Sequence, residues 1–199
     1  KTPIPRPPER ASLHRGAAVA EKRPPSERDE RVEALSASRT RMDRASVAQL
    51  WRGLRDVDED VRLLAFALLE SKTGASYRRI HAHTRELETA EGARRGLLNA
   101  RLAFEHWELA WLGLVQGEIL AYELSLAEQH ARAALEHQQR SASLHLLLGR
   151  IQLRRNRLDE ARVMLVRAAE LGLPADVQRP YLAEVAFREQ RFTAEGSAA

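Results

Sequence analysis

The 199-residue sequence has no cysteine, few aromatic residues and no long hydrophobic run. Without cysteine, the chain has no disulfide, no thiolate nucleophile and no cysteine-ligated zinc. Its longest unbroken apolar run, Leu63 to Leu69, is far shorter than the roughly 20 residues that a transmembrane helix requires. We therefore expect a soluble chain. Because the sequence begins at Lys1 rather than at methionine, we also expect a further segment upstream of it.

Signatures of catalysis and of metal binding are also missing. The sequence has no phosphate-binding glycine loop and no G-x-S-x-G or H-E-x-x-H motif. His81 and His83 point to different faces of a helix, and His130 and His137 lie about 10 Å apart along one face, too far to share an ion. We interpret these histidines as surface residues and expect no cofactor, no metal and no enzymatic activity. The alternative is an enzyme or a regulatory ligand-binding protein of a type that these motifs do not describe.

Positive charge is concentrated at the N-terminus. The chain carries 32 Lys and Arg against 28 Asp and Glu, and the whole surplus of +4 falls within residues 1–28. The same stretch holds six of the eight prolines and has little to bury on folding. We predict a flexible Pro-rich linker there, and the alternative is a cytoplasmic juxtamembrane arm attracted to anionic lipid. The remainder is balanced in charge, so we expect it not to bind nucleic acid.

From about Asp43 onward the composition is typical of helices. Ala, Leu, Arg and Glu are abundant, prolines are few, and no alternating strand pattern occurs. The sequence also resembles itself on a shift of 34 residues. The coinciding positions are Leu114 with Leu148 and Leu182, Val115 with Gly149 and Ala183, Ile119 with Leu153 and Phe187, Ala127 with Ala161, Ala131 with Leu165, and Ala134 with Ala168. This period predicts an array of helical hairpins.

Residues 107–192 resemble the tetratricopeptide family over two repeats and the first helix of a third. We expect the small residues Gly149, Ala161 and Ala168 to let paired helices approach closely. In the turn "RRNRLDEA", Asn156 tolerates a left-handed conformation, and acidic residues follow in the first turn of the next helix. The segment "RPYLAEVAFREQRF" is predicted to be a capping helix.

Residues 46–70, "SVAQLWRGLRDVDEDVRLLAFALLE", are similar to a HEAT-type hairpin. A first helix ends near Arg55, and an acidic turn leads to a second helix that begins at Val61. Asp58 is positioned to cap that helix, and Arg62 is long enough to reach an acidic neighbour in an adjoining unit. Two further helices, over about 77–90 and 93–111, connect this hairpin to the repeats. We predict an all-α solenoid with a linker over 1–28, a HEAT-like region over 29–106 and tetratricopeptide repeats over 107–199.

The order of these segments resembles the PelE family of bacterial Pel exopolysaccharide biosynthesis over about residues 44–192. The resemblance is carried by "DVDEDVRLLAFALLE", "AFEHWELAWLGLVQGE", "LLGRIQLRRNRLDEA" and "PYLAEVAFREQRF". It implies a non-catalytic scaffold at the cytoplasmic face of the inner membrane, anchored by an upstream segment. The implied partners are a cyclic-di-GMP receptor, a glycosyltransferase and a transporter-like membrane protein. The alternative is a generic tetratricopeptide adaptor unrelated to polysaccharide.

The first helices of tetratricopeptide repeats line a concave face, and the resemblance implies that a protein partner docks there. The residues predicted on or near that face are Leu112, Gln116, Ile119, Leu146, Arg150, Leu153, Arg154, Glu184, Phe187 and Arg188. The set lacks the Lys/Asn combination that clamps a C-terminal carboxylate, so we expect an amphipathic helix or a mixed protein surface. Alternatively, the short array packs on its own linker or on the HEAT-like region and uses another surface. Trp107 and Trp111 are interpreted as a packed stripe between hairpins.

Overall fold

The computed structural model describes residues 26–196, with side chains for residues 26–190. This part of the chain is all-α, as predicted, and contains eight helices. They are α1 (Glu27–Ala37), α2 (Arg44–Gly53), α3 (Glu59–Thr89), α4 (Gly92–Leu112), α5 (Gly117–His137), α6 (Ala142–Arg154), α7 (Leu158–Glu170) and α8 (Ala175–Gly196). Residues 1–25 of the predicted linker lie outside the described residues. Its last three residues belong to the helical body, because Ser26 caps α1.

Contacts between the helices are local along the chain. Within the described residues, each helix packs only against helices one or two places away, and α4 with α5 and α6 with α7 form the two most extensive pairs. Three hydrophobic clusters follow one another: the first joins α1 to α4, the second joins α4 to α6, and the third joins α6 to α8. Adjacent clusters therefore share a helix, which positions α4 and α6 between two cores each.

The turn before α3 confirms one prediction about the HEAT-like segment. Oδ1 of Asp58 accepts hydrogen bonds from the backbone N–H groups of Asp60 (2.9 Å) and Val61 (3.3 Å), so Asp58 caps α3. Its other oxygen lies 3.1 Å from Nε of Arg28 in α1. The acidic turn is thus a capping structure that also holds α1 in place.

Arg62 does not reach an acidic residue of another unit. Its Nη1 donates to the backbone carbonyls of Asp56 (2.9 Å) and Val57 (3.0 Å) in the turn just before its own helix. Carbonyls in such a turn have no helical partner, and a nearby guanidinium satisfies two of them at once.

The long helix α3 corrects the predicted break between two helices near residues 71–76. This polar stretch continues the helix because Lys72 and Ser76 lie on its buried face. Nζ of Lys72 donates to the carbonyls of Arg39 (3.2 Å) and Arg41 (2.6 Å), which belong to the connection between α1 and α2. Gly74 alone costs only about 1 kcal/mol in a helix. The polar side chain of Lys72 therefore makes a buried contact, and the polar stretch does not end the helix.

The first predicted repeat is wrong in register. The predicted docking set placed Gln116 and Ile119 on its first helix, but α4 ends at Leu112 and α5 begins at Gly117. Gly113 terminates α4 with a left-handed φ of 77°, and its carbonyl accepts a hydrogen bond from Trp51 Nε1 at 2.7 Å. The connection between α4 and α5 therefore lies earlier in the sequence than a shift of 34 residues from the α6–α7 connection would place it. The predicted boundary between residues 106 and 107 also falls inside α4.

The second hairpin, α6 with α7, has the predicted small-residue contact. Gly149, Ala161 and Ala168 are all buried. A Cβ atom at Gly149 would lie 2.8 Å from Cγ of Leu165, closer than side-chain carbons approach. Asn156 has the predicted left-handed conformation, with φ of 61°. In this region the sequence pattern and the packing agree.

Three helices end with the same backbone arrangement. The residue after a left-handed position donates its N–H to the carbonyl five residues earlier, which is the Schellman arrangement. The bonds are Leu114 to Leu109 (3.0 Å) after Gly113, Arg157 to Gln152 (2.9 Å) after Asn156, and Leu173 to Ala168 (3.0 Å) after Gly172. These sharp stops set the lengths of α4, α6 and α7.

Candidate docking site

Helices α4, α6 and α8 meet around a pocket of about 170 Å³ that also receives the first residue of α2. Seven of the nine lining residues are aromatic or cationic, and the other two are an aliphatic and an acidic residue. They are Arg44, Trp107, Trp111, Arg150, Leu153, Arg154, Tyr181, Glu184 and Arg188. We call this the arginine pocket.

Arg150 lines the arginine pocket and contacts two aromatic rings. Its guanidinium carbon lies 4.8 Å from the ring centroid of Trp107 and 5.4 Å from that of Tyr181. Both distances fall within the range of cation–π attraction. Burial lowers the pKa of Arg150 from its ordinary value, and the nearby Tyr181 partly offsets that effect. The rings hold this cation in a fixed place without neutralising it.

The arginine pocket has an excess of unpaired positive charge. Arg188 forms an ion pair with Glu184 and donates to the carbonyl of Leu153 at 3.0 Å. Among the described residues, the side chains of the other three arginines (Arg44, Arg150 and Arg154) have no hydrogen-bond acceptor and no acidic partner. Guanidinium groups pair readily with carboxylates and phosphates. The pocket can therefore accept an anionic group from outside the described structure.

A wider groove on α4 continues from the arginine pocket. It has a volume of about 680 Å³ and shares Trp107, Trp111 and Arg150 with the pocket. Three large apolar side chains stand in it at intervals of seven residues: Leu97 is 47% exposed, Phe104 is 41% exposed and Trp111 is 42% exposed. Apolar side chains aligned on one helix face mark a surface that a partner can cover.

Five of the ten predicted docking residues come together at the arginine pocket: Arg150, Leu153, Arg154, Glu184 and Arg188. The other five do not line it: Leu112, Gln116, Ile119, Leu146 and Phe187. Leu112 is 3% exposed and belongs to the first hydrophobic cluster, so no partner can contact it directly. Gln116 precedes α5 and Ile119 lies in its first turn, because the turn at Gly113 moved both residues off α4. The error in register thus displaced the N-terminal members of the set.

Sequence reasoning missed part of the site. Arg44 and Tyr181 were not considered, and the two tryptophans were interpreted only as packing. Trp107 is indeed buried, whereas Trp111 is 42% exposed. One signal was available: Arg150 has no acidic residue three or four positions away on its own helix, so it lacks the usual helical partner.

A second cleft lies between α5, α6 and α7 and is larger, at about 730 Å³. Its walls are mostly apolar, and of its three charged lining residues Arg132 and Glu160 form ion pairs, whereas Asp159 has no partner among the described residues. Glu128 accepts hydrogen bonds from Arg132 (2.7 Å), Gln152 (2.8 Å) and Arg155 (2.5 Å). Because this carboxylate is satisfied internally, the cleft offers less unmet charge than the arginine pocket. We therefore take the arginine pocket as the candidate docking site.

Buried polar residues also connect α3, α4 and α5. Glu123 is 2% exposed and accepts hydrogen bonds from Tyr77 (2.8 Å) and from Nδ1 of His106 (2.5 Å). The ring of His106 stacks on that of His130 at a centroid distance of 5.6 Å, and Nδ1 of His130 donates to Asn99 at 2.9 Å. His130 is therefore a partly buried interface residue, and its interpretation as a surface histidine is wrong.

Two pKa values in this network are displaced by burial. Burial, then the hydrogen bond to Glu123, raises the pKa of Tyr77 to about 12. Burial, followed by the neighbouring His106, lowers the pKa of His130 to about 4. Both side chains are thus neutral at physiological pH. No group of three His, Asp or Glu side chains in the described residues is arranged to hold a metal ion.

No protein-family model, curated protein or solved structure matches the chain. Between residues 26 and 196, no helix combines the length and the apolar character that a bilayer crossing requires.

Proposed function

We propose that this chain is a non-catalytic scaffold that binds protein partners through the arginine pocket and the adjoining α4 groove. The observation that carries the proposal is the set of three arginines without acidic partners beside accessible Trp111. Arginine and tryptophan are the residues that most often dominate the free energy of protein–protein binding. Arg150 is already held against two rings, so binding a partner requires little further ordering of that side chain.

The local packing of the helices supports a short solenoid as the frame of this scaffold. Each hairpin shares a hydrophobic cluster with its neighbour, as expected for stacked hairpins that cannot bury their apolar faces alone. In this proposal α6, α7 and α8 form the tetratricopeptide-like end. The arginine pocket lies where the first helix of each successive hairpin meets the next, which is the face that such arrays use for binding.

We further propose that the scaffold belongs to an inner-membrane complex for Pel exopolysaccharide synthesis and export. This step rests on the resemblance of the ordered segments to the PelE family. Candidate partners are the cyclic-di-GMP receptor, the glycosyltransferase and the transporter-like membrane protein of that complex. A general helical adaptor of another pathway would use the same site.

Co-purification tests both levels of the proposal. The chain carries an affinity tag and is expressed with the three candidate subunits, each with a distinct epitope tag. We expect at least one subunit to co-purify, and we expect Arg154→Glu to reduce its recovery about tenfold. Arg140→Glu is the matched control, because it makes the same charge change at an exposed position outside the pocket.

The possible failures have different meanings. If no subunit is recovered, the Pel assignment is wrong. If a subunit is recovered equally with both variants, the docking site is wrong although the complex exists. Turnover of sugar nucleotides by the purified chain would overturn the non-catalytic assignment.

A further inference from the structure

Helix α4 carries an apolar seam whose Leu97, Phe104 and Trp111 are exposed, although Trp107 within it is buried. Its members line one groove at successive spacings of three and four residues: Leu97, Ala100, Phe104, Trp107 and Trp111. Alternation of three and four residues is the pattern by which one helix packs against another in a coiled coil. The seam extends for about 21 Å at 1.5 Å per residue. Its spacing therefore fits a partner helix better than an extended peptide.

The unpaired charges around this seam are all positive. Glu105 and Glu108 also line the groove, but both are paired with Arg79 of α3 at 2.8 and 2.9 Å. In contrast, Arg101 and Arg150 line the same groove and have no acidic partner among the described residues. The arginine pocket then continues this positive charge at the C-terminal end of α4. A complementary partner must carry negative charge.

We propose that the seam and the arginine pocket together receive an acidic amphipathic helix of a partner protein. Its apolar side chains pack on α4, and one of its carboxylates enters the pocket among Arg44, Arg150 and Arg154. This inference rests on the proposed function, since it specifies the chemistry of the segment that the scaffold binds. It also assigns the α4 groove and the pocket to a single ligand.

Charge complementarity favours an acidic partner helix over two other occupants, which are residues 1–25 of the same chain and a second copy of the chain. Residues 1–25 of the same chain contain six basic and two acidic residues, so the arginines would repel that segment. A second copy of the chain would bring an identical set of unpaired arginines to the interface. An acidic helix from another protein neutralises these groups and covers the seam at the same time.

Two synthetic helical peptides test the proposal. Both are as long as α4, 21 residues, and both carry leucines at alternating spacings of three and four residues. The acidic probe has glutamate at the positions that flank the leucines, and the basic probe has lysine there. Each fluorescently labelled probe is titrated with the full chain, and binding is followed by fluorescence anisotropy. We expect the acidic probe to bind at least about tenfold more tightly than the basic probe.

Variants assign the binding to this surface. Arg101→Glu with Arg154→Glu should weaken the acidic probe about tenfold or more and should strengthen the basic probe. Leu97→Ser with Phe104→Ser should weaken both probes, because these changes remove apolar contact without altering charge. Arg140→Glu should change neither affinity. Circular dichroism and thermal unfolding of each variant show whether the fold is retained.

Several results would overturn the inference. These are absence of acidic-probe binding, equal affinity for both probes, or acidic-probe affinity that the double arginine variant leaves unchanged. Displacement of the probe by inorganic phosphate alone would show a general anion site in place of a helix site. A concentration-dependent dimer that Leu97→Ser with Phe104→Ser abolishes would show that a second copy covers the seam.

The outcome separates this inference from the proposed function. If a membrane-complex subunit co-purifies but the acidic probe does not bind, the scaffold stands and the acidic-helix assignment fails. If the acidic probe binds as expected but no subunit co-purifies, the surface is correctly assigned and the Pel complex is wrong.

Discussion

The hairpins α4/α5 and α6/α7 both bring two helices close together, but the residues that join the helices differ. Both place a glycine where the helices approach: a Cβ atom at Gly96 would lie 2.5 Å from Cβ of His137, and one at Gly149 would lie 2.8 Å from Cγ of Leu165. The first hairpin has helices of 21 residues and buries Glu123 in a polar network. The second has helices of 13 residues joined mainly through small and aliphatic residues.

This difference separates two sources of specificity. Small residues fix how closely α6 and α7 approach, and a close-packed contact resists any change in volume. The network around Glu123 fixes which residues of α3, α4 and α5 face one another, because each buried polar group requires its own partner. Breaking the two kinds of contact should therefore have unequal effects on the free energy of unfolding.

The largest expected effect comes from Glu123→Ala. This change leaves the hydroxyl of Tyr77 and Nδ1 of His106 without their acceptor in a buried place, and removing one partner of such a pair costs about 3–5 kcal/mol. Denaturant unfolding measures the change. Glu118→Ala, at an exposed position of the same helix, should cost only about 0.5 kcal/mol. Equal costs at the two positions would show that the network contributes nothing specific.

Gly149→Ala should have the next largest effect. The new methyl group meets the fully buried Leu165, so we expect a loss of about 1–3 kcal/mol from overpacking. Gly74→Ala in α3 is the control, since the nearest atom there is the flexible Nη1 of Arg78 at 3.4 Å. That change should stabilise the chain by about 0.5–1 kcal/mol through helix propensity. If both substitutions shift the unfolding midpoint in the same direction, the close approach of α6 and α7 is not limiting.

The same comparison explains what the sequence could predict. In the α6/α7 hairpin, the small residues and Asn156 act through local sterics, so their spacing alone indicated the turn and the close contact. In α4/α5 the 34-residue shift matched alanines that are indeed buried, but it missed the stop at Gly113. A glycine that follows a leucine can continue or end a helix, and here the hydrogen bond from distant Trp51 accompanies the ending.

Long-range contacts also account for the parts of the candidate site that sequence reasoning missed. Arg150 and Arg154 were found because they lie on one helix within the repeat pattern. Arg44 lies more than 100 residues earlier and reaches the pocket only because α2 packs on α4. The polar stretch around Lys72 was interpreted as a break for the same reason, since its acceptors belong to the connection between α1 and α2.

A smaller effect should appear in the pH dependence of stability, and it concerns the α4/α5 hairpin, to which His130 belongs. The folded chain holds the pKa of His130 at about 4 against an ordinary value of 6.5, so only the unfolded chain binds a proton there between these values. Stability should therefore fall as the pH drops below about 6.5, with the loss complete near pH 4. Allowing for partial exposure, we expect His130→Gln to remove about 1 kcal/mol of the loss between about pH 7 and pH 5. Parallel stability curves for the two proteins would show that His130 does not titrate differently on unfolding.

The smallest effect on stability should accompany the largest effect on binding. Arg154 is exposed at the end of α6 and has no acidic partner among the described residues, so Arg154→Glu should cost no more than about 0.3–1 kcal/mol through the helix dipole. Arg150→Glu should cost more, because Arg150 is held over two aromatic rings. Arg154→Glu is therefore the cleaner probe of the docking surface.

Thermal unfolding and acidic-peptide titration of this variant and of Arg140→Glu provide the measurement. We expect nearly equal melting temperatures and about a tenfold difference in peptide affinity. Equal affinities at equal stability would mean that the charge of the arginine pocket plays no part in binding.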